Sequence, residues 1–333
     1  MHDQDWNPGR LIKLSGGYWG ACALHAGVKL RIFTLLDRQM RSAADLARTS
    51  GADLRGLTML LNALSALGML VKDGDQYRNT PFAQDFLRED APGYLGHILL
   101  HHHHLMESWA HLDQAVMSGK PLRSRTSYSE DDWREAFLMG MFNLASLLAP
   151  QLVPHVDLEG RRHLLDLGGG PGTYAIHFCQ HNPNLRATVY DLPTSRRFAE
   201  KTIGRFGLAE RIDFQAGDFL NDPIEGTFDI AWMSHILHAE DPSSCRAIVR
   251  KAVDALQPGG LLIIHEFVLD NSMDSPLSPA LFSLNMLLGT SGGQAYSQQQ
   301  IMDMLSRAGL VNVRRIPFAS PGETGLVCGE VPA

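Results

Sequence analysis

Short apolar runs alternate with longer amphipathic stretches from Leu164 onward, and the alternation is regular. Leu164, Leu165 and Leu167 form a run of the kind that makes a buried parallel strand. It ends in Gly168, Gly169 and Gly170, where a backbone can turn tightly and approach a ligand with no Cβ in the way. Residues 174–180 read as a helix. Further strands are expected over 187–190, 212–215, 228–233 and 261–264. Helices are expected through Phe206 and from Asp241 through Leu256. A helical region over 279–288, a helix over 298–308 and strands near 311–316 and 325–328 close the chain. This pattern predicts an α/β fold, a Rossmann-like doubly wound sheet.

The first part of the chain has helical periodicity instead. Residues 21–36 carry Ala23, Leu24, Val28, Ile32, Leu35 and Leu36 near helical spacing. Ser42 caps a short helix over 42–48, and Asp53 opens another with Leu57, Leu60, Leu61, Leu64 and Leu67 on one face. Residues 69–78 read as a hairpin with Asp73-Gly74 at its turn. Helices followed by a hairpin make a winged helix, which serves DNA binding or dimerisation. The lack of a basic recognition face favours dimerisation. Pro92 and Gly93 break the pattern, and a helix is expected over 94–117. His97, His101, His104 and His111 fall near one face of it, with His102 and His103 beside them. With Glu107 this stripe has metal-ligand chemistry, but a polar or pocket-lining stripe is the plainer reading, and no metal is expected. A polar loop over 119–129 leads to a helix over 131–148 bearing Trp133, Phe137, Met141, Phe142 and Leu144. The expected division is a winged-helix domain over 1–93, linking helices over 94–158 and a ligand-binding domain over 159–333.

Composition narrows the function. An apolar share of 44% suits a globular protein of 333 residues. A net charge of −7 and a pI near 6.1 argue against a nucleic-acid partner. Cys22, Cys179, Cys245 and Cys328 form no CxxC pair and suit a reducing compartment. The first residues lack the basic and apolar regions of a signal peptide, and no stretch approaches about 20 apolar residues. A cytoplasmic protein without a membrane partner is expected.

The glycine loop separates two ligand classes. A dinucleotide fingerprint wants a third glycine where Thr173 stands, and Pro171 has no N–H to offer a pyrophosphate. A Gly-Gly-Gly-Pro-Gly loop without a phosphate-binding Lys suits an adenosine ligand that lacks phosphate, and S-adenosylmethionine is that ligand. Asp191 stands about 20 residues on, at the end of the next apolar run, where an acid grips ribose hydroxyls. Ligands of open α/β sheets bind outside the carboxyl ends of the strands, which selects Asp191, Asp218, His238 and Glu266. Asp218 would accept from the adenine amino group while Phe219 packs on the ring. Each of these residues has a second reading as a turn residue or helix cap.

These motifs resemble the class I S-adenosylmethionine-dependent small-molecule O-methyltransferases of the plant caffeic acid and bacterial acetylserotonin type. The resemblance runs through 164–173, Tyr190-Asp-Leu-Pro193, 216–220, Ile236-Leu-His238, 256–266 and Gly292-Gly293, and the family's dimerising N-terminal winged helix matches the first domain, so it covers nearly the whole chain. It implies a homodimer formed through the N-terminal domain and a small-molecule acceptor. The cofactor would be held by Gly168, Gly169, Gly170, Asp191, Leu192, Gly217, Asp218, Phe219, Met233 and Ser234. His238 would be the general base, oriented by Glu266. By analogy Trp109, Phe137, Met141, Asn285 and Met286 are expected in the acceptor pocket. Two departures stand out. Ala239 replaces an Asp often found after the catalytic His, and a second carboxylate of plant members would fall at Ala295. The expected activity is methyl transfer to a hydroxyl of a small aromatic or polyketide-like acceptor. N- or C-methylation, non-methylating chemistry on the same scaffold and a ligand-sensing DNA-binding regulator are the alternatives.

Overall fold

The computed structural model describes residues 6–124, 131–318, 320 and 322–333, without the side chains of Asp131 and Asp132. Residues 125–129 of the expected polar loop lie outside them. The chain forms two compact units, Met1–Leu105 and Met106–Ala333.

In the first unit, helices α1 (Pro8–Ser15), α2 (Tyr18–Lys29) and α3 (Ile32–Leu36) precede strand β1 (Arg41–Ser42). Helices α4 (Ala43–Ser50) and α5 (Leu54–Ala66) follow, then strands β2 (Leu70–Asp73) and β3 (Gln76–Asn79) and helix α6 (Pro81–Phe86). The strands pair in the order β1-β3-β2, which completes a winged helix. Ser42 and Asp53 cap their helices, accepting from the N–H groups of Asp45 and Gly56. Ile32, Phe33, Leu36, Leu46, Leu61 and Leu64 are fully buried in one cluster. Two expectations are corrected. The helix expected over 21–36 breaks at Arg31, whose φ of 56° lies in the left-handed region. The hairpin turns at Gly74 and Asp75, one residue later than expected, with Gly74 at φ 58°.

Helix α7 (Gly96–Ala110) is followed by α8 (Leu112–Ser118), so the helix expected over 94–117 is two helices. The break falls at His111, which leaves the histidine stripe at His97, His101 and His104.

The second unit continues with α9 (Asp131–Leu152), β4 (His163–Leu167), α10 (Thr173–His181), β5 (Arg186–Asp191), α11 (Arg196–Arg205), β6 (Ile212–Ala216) and β7 (Phe228–Ser234). Then come α12 (Pro242–Asp254), β8 (Leu256–Leu269), α13 (Leu277–Gly289), β9 (Tyr296–Ser297), α14 (Gln298–Arg307), β10 (Val311–Ile316) and β11 (Thr324–Glu330). The sheet order is β10-β11-β8-β7-β4-β5-β6, with β9 also paired to β8. β4 to β8 run parallel, whereas β11 is antiparallel to β8 and to β10. Neighbouring residues of each strand point to opposite faces. Leu164, Ile230, Trp232 and Ile263 pack with α9, α10 and α11 residues such as Leu152, Phe178 and Ile203. Leu165, Ala231, Met233 and Leu262 pack with Ile248, Val249, Ile301 and Leu305 of α12 and α14.

Three readings of this unit change. β8 is far longer than the expected 261–264, because Leu256 already pairs with Phe228 and the strand runs on to Leu269. α12 accordingly stops at Asp254. Trp133–His155 is long and apolar enough to cross a membrane, with a mean hydropathy of 1.6, contrary to the sequence expectation. Its Ala149, Leu152 and Val153 are instead buried in the core against the sheet.

Asp229 fixes where β4 meets β7. Its carboxylate accepts from the N–H groups of Arg162 at 2.6 Å and His163 at 3.0 Å. Asp229→Ala leaves both donors without their partner and is expected to cost about 2–4 kcal/mol. Asp229→Asn, which keeps one acceptor oxygen, should cost less. Urea unfolding followed by tryptophan fluorescence measures both, and an unchanged midpoint for the alanine variant would contradict the assignment.

Candidate active site

The glycine loop leaves β4 with Gly168 at φ 69°, Gly170 at φ 53° and Gly172 at φ 75°. A Cβ on Gly168 would meet Ile236 Cδ1 at 2.1 Å, and one on Gly169 would meet the Asp166 carboxyl at 2.6 Å. The loop is therefore bare backbone pressed onto its support, which only glycine permits. Gly168 N–H donates to the Tyr190 carbonyl at 2.7 Å, and Gly170 N–H to Asp191 Oδ2 at 2.8 Å. Asp191 Oδ1 also accepts from Leu192 N–H and the Ser195 hydroxyl, both at 2.7 Å. The carboxylate is thus pre-oriented at the end of β5, next to the loop.

The ends of β6 and β7 supply the remaining expected cofactor residues. Gly217 N–H donates to the Asp191 carbonyl at 3.0 Å. Phe219 lies beside the loop, with Cε1 3.6 Å from where a Gly168 Cβ would sit. The Asp218 carboxylate accepts from Leu220 N–H at 2.9 Å and the Asn221 amide at 2.8 Å, so it also serves as a turn residue. Met233 is buried, and the Ser234 hydroxyl is engaged by His265 Nδ1 at 2.9 Å. Glycines of positive φ, a fixed carboxylate and an aromatic ring on adjacent strand ends fit an adenosine ligand. Pro171 inside the loop keeps it from being a phosphate cradle.

His238 follows the end of β7, whereas Glu266, expected at a strand end, lies inside the next strand. β7 leads into a short turn carrying His238, anchored by fully buried Leu237. Glu266 lies within β8, opposite Gly325 of β11. His238 Nδ1 is 2.8 Å from Glu266 Oε2. The same carboxylate accepts from the N–H groups of His238 at 3.3 Å and Phe267 at 3.2 Å. Burial alone would push the Glu266 carboxyl up, but His238 and His235 beside it hold it well below the usual range. An ionised Glu266 accepts a hydrogen bond from His238 Nδ1–H, and in that tautomer the lone pair is on Nε2.

Sequence reasoning missed four neighbours. His235 Nδ1 lies 3.7 Å from the same Glu266 oxygen. The Phe267 and Phe282 rings are 4.2 Å apart, and Phe282 stands edge-on to His238 at 4.8 Å. Arg123 Nη2 donates to Asn285 Oδ1 at 3.0 Å. Phe267 follows Glu266 directly, and Phe282 precedes Asn285 by one helical turn, so both had a sequence signal. His235 and Arg123 had none. His265, in contrast, is fully buried, its imidazole pushed well below its ordinary pKa by burial and by His235.

Of the expected acceptor residues, Trp109 and Asn285 come together: Trp109 Nε1 donates to Asn285 Oδ1 at 3.3 Å. Met286 follows on α13 and is buried. Phe137 and Met141 lie on α9, whose Leu138 approaches within 3.6 Å of a Cβ built on Gly170. Ala239 follows His238 in the same turn. Ala295 is fully buried, with its N–H on the Ser283 hydroxyl. Among the described residues, the histidine stripe forms no group of three metal-capable side chains within ligand distance.

Comparison with known proteins matches this arrangement. Residues 109–311 fit the model of an O-methyltransferase domain, and residues 12–89 that of an O-methyltransferase dimerisation domain. The chain is 35% identical over 328 residues to a 3-hydroxy-5-methyl-1-naphthoate 3-O-methyltransferase of Streptomyces sahachiroi, covering 97% of this chain and 95% of the relative. It is 31% identical to the tetracenomycin polyketide synthesis 8-O-methyl transferase of Streptomyces glaucescens, covering 96% of each. The crystal structure of human N-acetylserotonin methyltransferase in complex with S-adenosylmethionine superimposes with a TM-score of 0.87 at 25% identity, covering the whole of both chains. The chain belongs to the O-methyltransferase family, as an S-adenosylmethionine-dependent enzyme built from a dimerisation domain and a methyltransferase domain.

Proposed function

We propose that this enzyme methylates a hydroxyl on a small aromatic or polyketide-like acceptor, with His238 as general base and Glu266 as the group that orients it. The observation that carries this reading is the 2.8 Å contact between His238 Nδ1 and a buried, ionised Glu266. When bound, S-adenosylmethionine supplies a methyl group on a sulfonium centre, open to displacement by an oxygen nucleophile. A phenol, with a pKa near 10, is a poor nucleophile at neutral pH until its proton is removed. His238 Nε2 takes that proton, and Glu266 stabilises the imidazolium through Nδ1–H, as in a triad that lacks its nucleophile. The Phe267 and Phe282 rings wall the space beside His238 with apolar surface, which suits a flat acceptor. Trp109, Asn285, Met286, Phe137 and Met141 are assigned to the acceptor pocket. Gly168–Gly170, Asp191, Leu192, Gly217–Phe219, Met233 and Ser234 are assigned to the cofactor.

The two subunits of a homodimer would meet through the dimerisation domain. Leu11, Ile12, Leu14, Tyr18 and Trp19 on α1 and α2 are each more than half exposed, an apolar face that association would cover. Replacing Ile12 and Trp19 together by Asp should give a monomer by multi-angle light scattering. A variant that remains dimeric would place the interface elsewhere.

Asp191→Ala should weaken S-adenosylhomocysteine binding by about 2–4 kcal/mol, since buried ribose hydroxyls lose their acceptor. Calorimetric titration tests this, and unchanged affinity would sink the assignment.

His238→Ala should lower turnover by roughly 10²–10⁴-fold while cofactor affinity barely moves. Raising the pH should partly rescue the variant, because a phenol near pKa 10 then ionises unaided. Glu266→Gln should cost less, since the amide oxygen still accepts from the ring but cannot stabilise its charge. A pH–rate profile of the three proteins on an accepted phenol decides it. Equal rates at neutral pH would mean that positioning alone carries the reaction.

A further inference from the structure

Glu266 faces two imidazoles, and the base mechanism uses only one. His235 Nδ1 and His238 Nδ1 approach the same oxygen, Glu266 Oε2, at 3.7 and 2.8 Å. One ligand atom from each of the three residues lies within 4.8 Å of the other two, and among the described residues no other three metal-capable side chains do so. Zinc–ligand bonds of about 2.0–2.1 Å at tetrahedral angles separate neighbouring ligand atoms by about 3.3 Å, and the separations of 3.7 and 2.8 Å straddle that value.

His235 is held in an uncommon posture. Its backbone sits at φ 58°, a left-handed conformation that few non-glycine residues adopt. The ring is braced edge-on against His265 at 4.6 Å and beside Phe267 at 4.8 Å. Its Nδ1 is buried and makes no hydrogen bond, although it is aimed at a carboxylate. An imidazole nitrogen held just beyond hydrogen-bond reach of a carboxylate oxygen leaves room for a cation between the two. The His235 side chain is 27% exposed, against 12% for His238 and 2% for Glu266, so an ion can approach from that side and keep one position open.

We propose that His235 Nδ1, His238 Nδ1 and Glu266 Oε2 bind a divalent transition-metal ion of the zinc class, and that its binding silences methyl transfer. The silencing rests on the reading of His238 as base and follows from tautomer chemistry. Without metal, the His238 proton sits on Nδ1 and the Nε2 lone pair faces the acceptor. A metal on Nδ1 takes the lone pair of that nitrogen, and the single ring proton relocates through solvent to Nε2. The imidazole stays neutral, but Nε2 is now an N–H and cannot accept the proton of a hydroxyl.

The test uses chelator-treated full-length enzyme, with Zn²⁺ for inhibition and Co²⁺ for its visible absorption. His235→Asn is the chosen variant, because Asn tolerates the left-handed backbone while removing the imidazole. Zinc should slow the wild type reversibly, and the variant should need roughly tenfold more zinc or beyond, each judged against its own chelated rate. Loss of an outer-shell group already weakens metal sites by about 10–100-fold, and a ligand matters more. Cobalt should give an intense visible band in the wild type that His235→Asn lacks. Equal inhibition and an equal band in both proteins would overturn the proposal and move the metal elsewhere, such as the run His101–His104. A His235-dependent band with undiminished turnover would keep the metal site and remove His238 from the role of base. Should His235→Asn melt early by circular dichroism, His235→Gln takes its place under the same readings.

Discussion

An ionised carboxylate inside a β-sheet is the constraint around which the catalytic half is built. Glu266 is 2% exposed, and removing a carboxylate from water costs several kcal/mol unless its oxygens are satisfied. The protein offsets that cost with two backbone N–H groups, from His238 and Phe267, and with the His238 imidazole. Each of these donors comes from a fixed place. β8 is held between β7 and β11 along most of its length, and the turn after β7 is pinned by Leu237 in the core. The geometry at His238 is therefore a consequence of strand register. A slip of one residue in β8 would turn Glu266 to the other face of the sheet and leave the imidazole without its partner.

The same sheet explains why so much of this protein is legible as a string of letters. The apolar runs of β4, β5 and β7 are buried on both faces, so they stand out without any alternation to decode. The residues that follow each run must then lie at one edge, which is why Asp191, Asp218 and His238 could be selected together from spacing alone. Glu266 was found although the extent of its strand was not: β8 begins five residues before the apolar run and continues past the glutamate. The glycine-rich stretch before the run hid the pairing of Leu256 with Phe228, because Gly and Pro ordinarily end strands.

What was not legible has a common cause. Arg31 and His235 both occupy left-handed backbone, which few non-glycine residues adopt, so neither residue type predicts it at a given position. At Arg31 the consequence is a break between α2 and α3, where periodicity predicted one helix. At His235 the consequence is a third group facing Glu266. Arg123 was missed for another reason, and the signal at Phe282, one helical turn before Asn285, did not tell that its ring meets His238. Their relation to His238 and to Asn285 depends on how α13 and residues 122–123 lie against neighbours, a tertiary matter that no local pattern records. The histidine stripe failed in the opposite direction, since a regular spacing suggested one face until His111 proved to lie at a helix break.

Two buried carboxyls in adjoining parts of this sheet show how far environment divides residues of like chemistry. Asp166 sits under the glycine loop with a single N–H, from Ala175 at 3.2 Å, and burial together with the charge of Asp191 pushes it up to about 7. Glu266, equally buried, is driven the other way by its imidazoles. The signs of their contributions to folding differ accordingly. Asp166 binds its proton more tightly folded than unfolded, so its term in stability declines as pH rises from the ordinary carboxyl range towards 7. Glu266 holds its proton less tightly when folded, so its term is present above the unfolded pKa and is lost as pH falls in acid. Near neutrality the first is a carboxyl poised between its two states and the second a fixed negative charge. Only the fixed charge is a constant hydrogen-bond acceptor, and it is the one that meets His238 Nδ1. The division of labour lies in the donors each carboxyl meets, and those donors are set by the sheet rather than by the residue type.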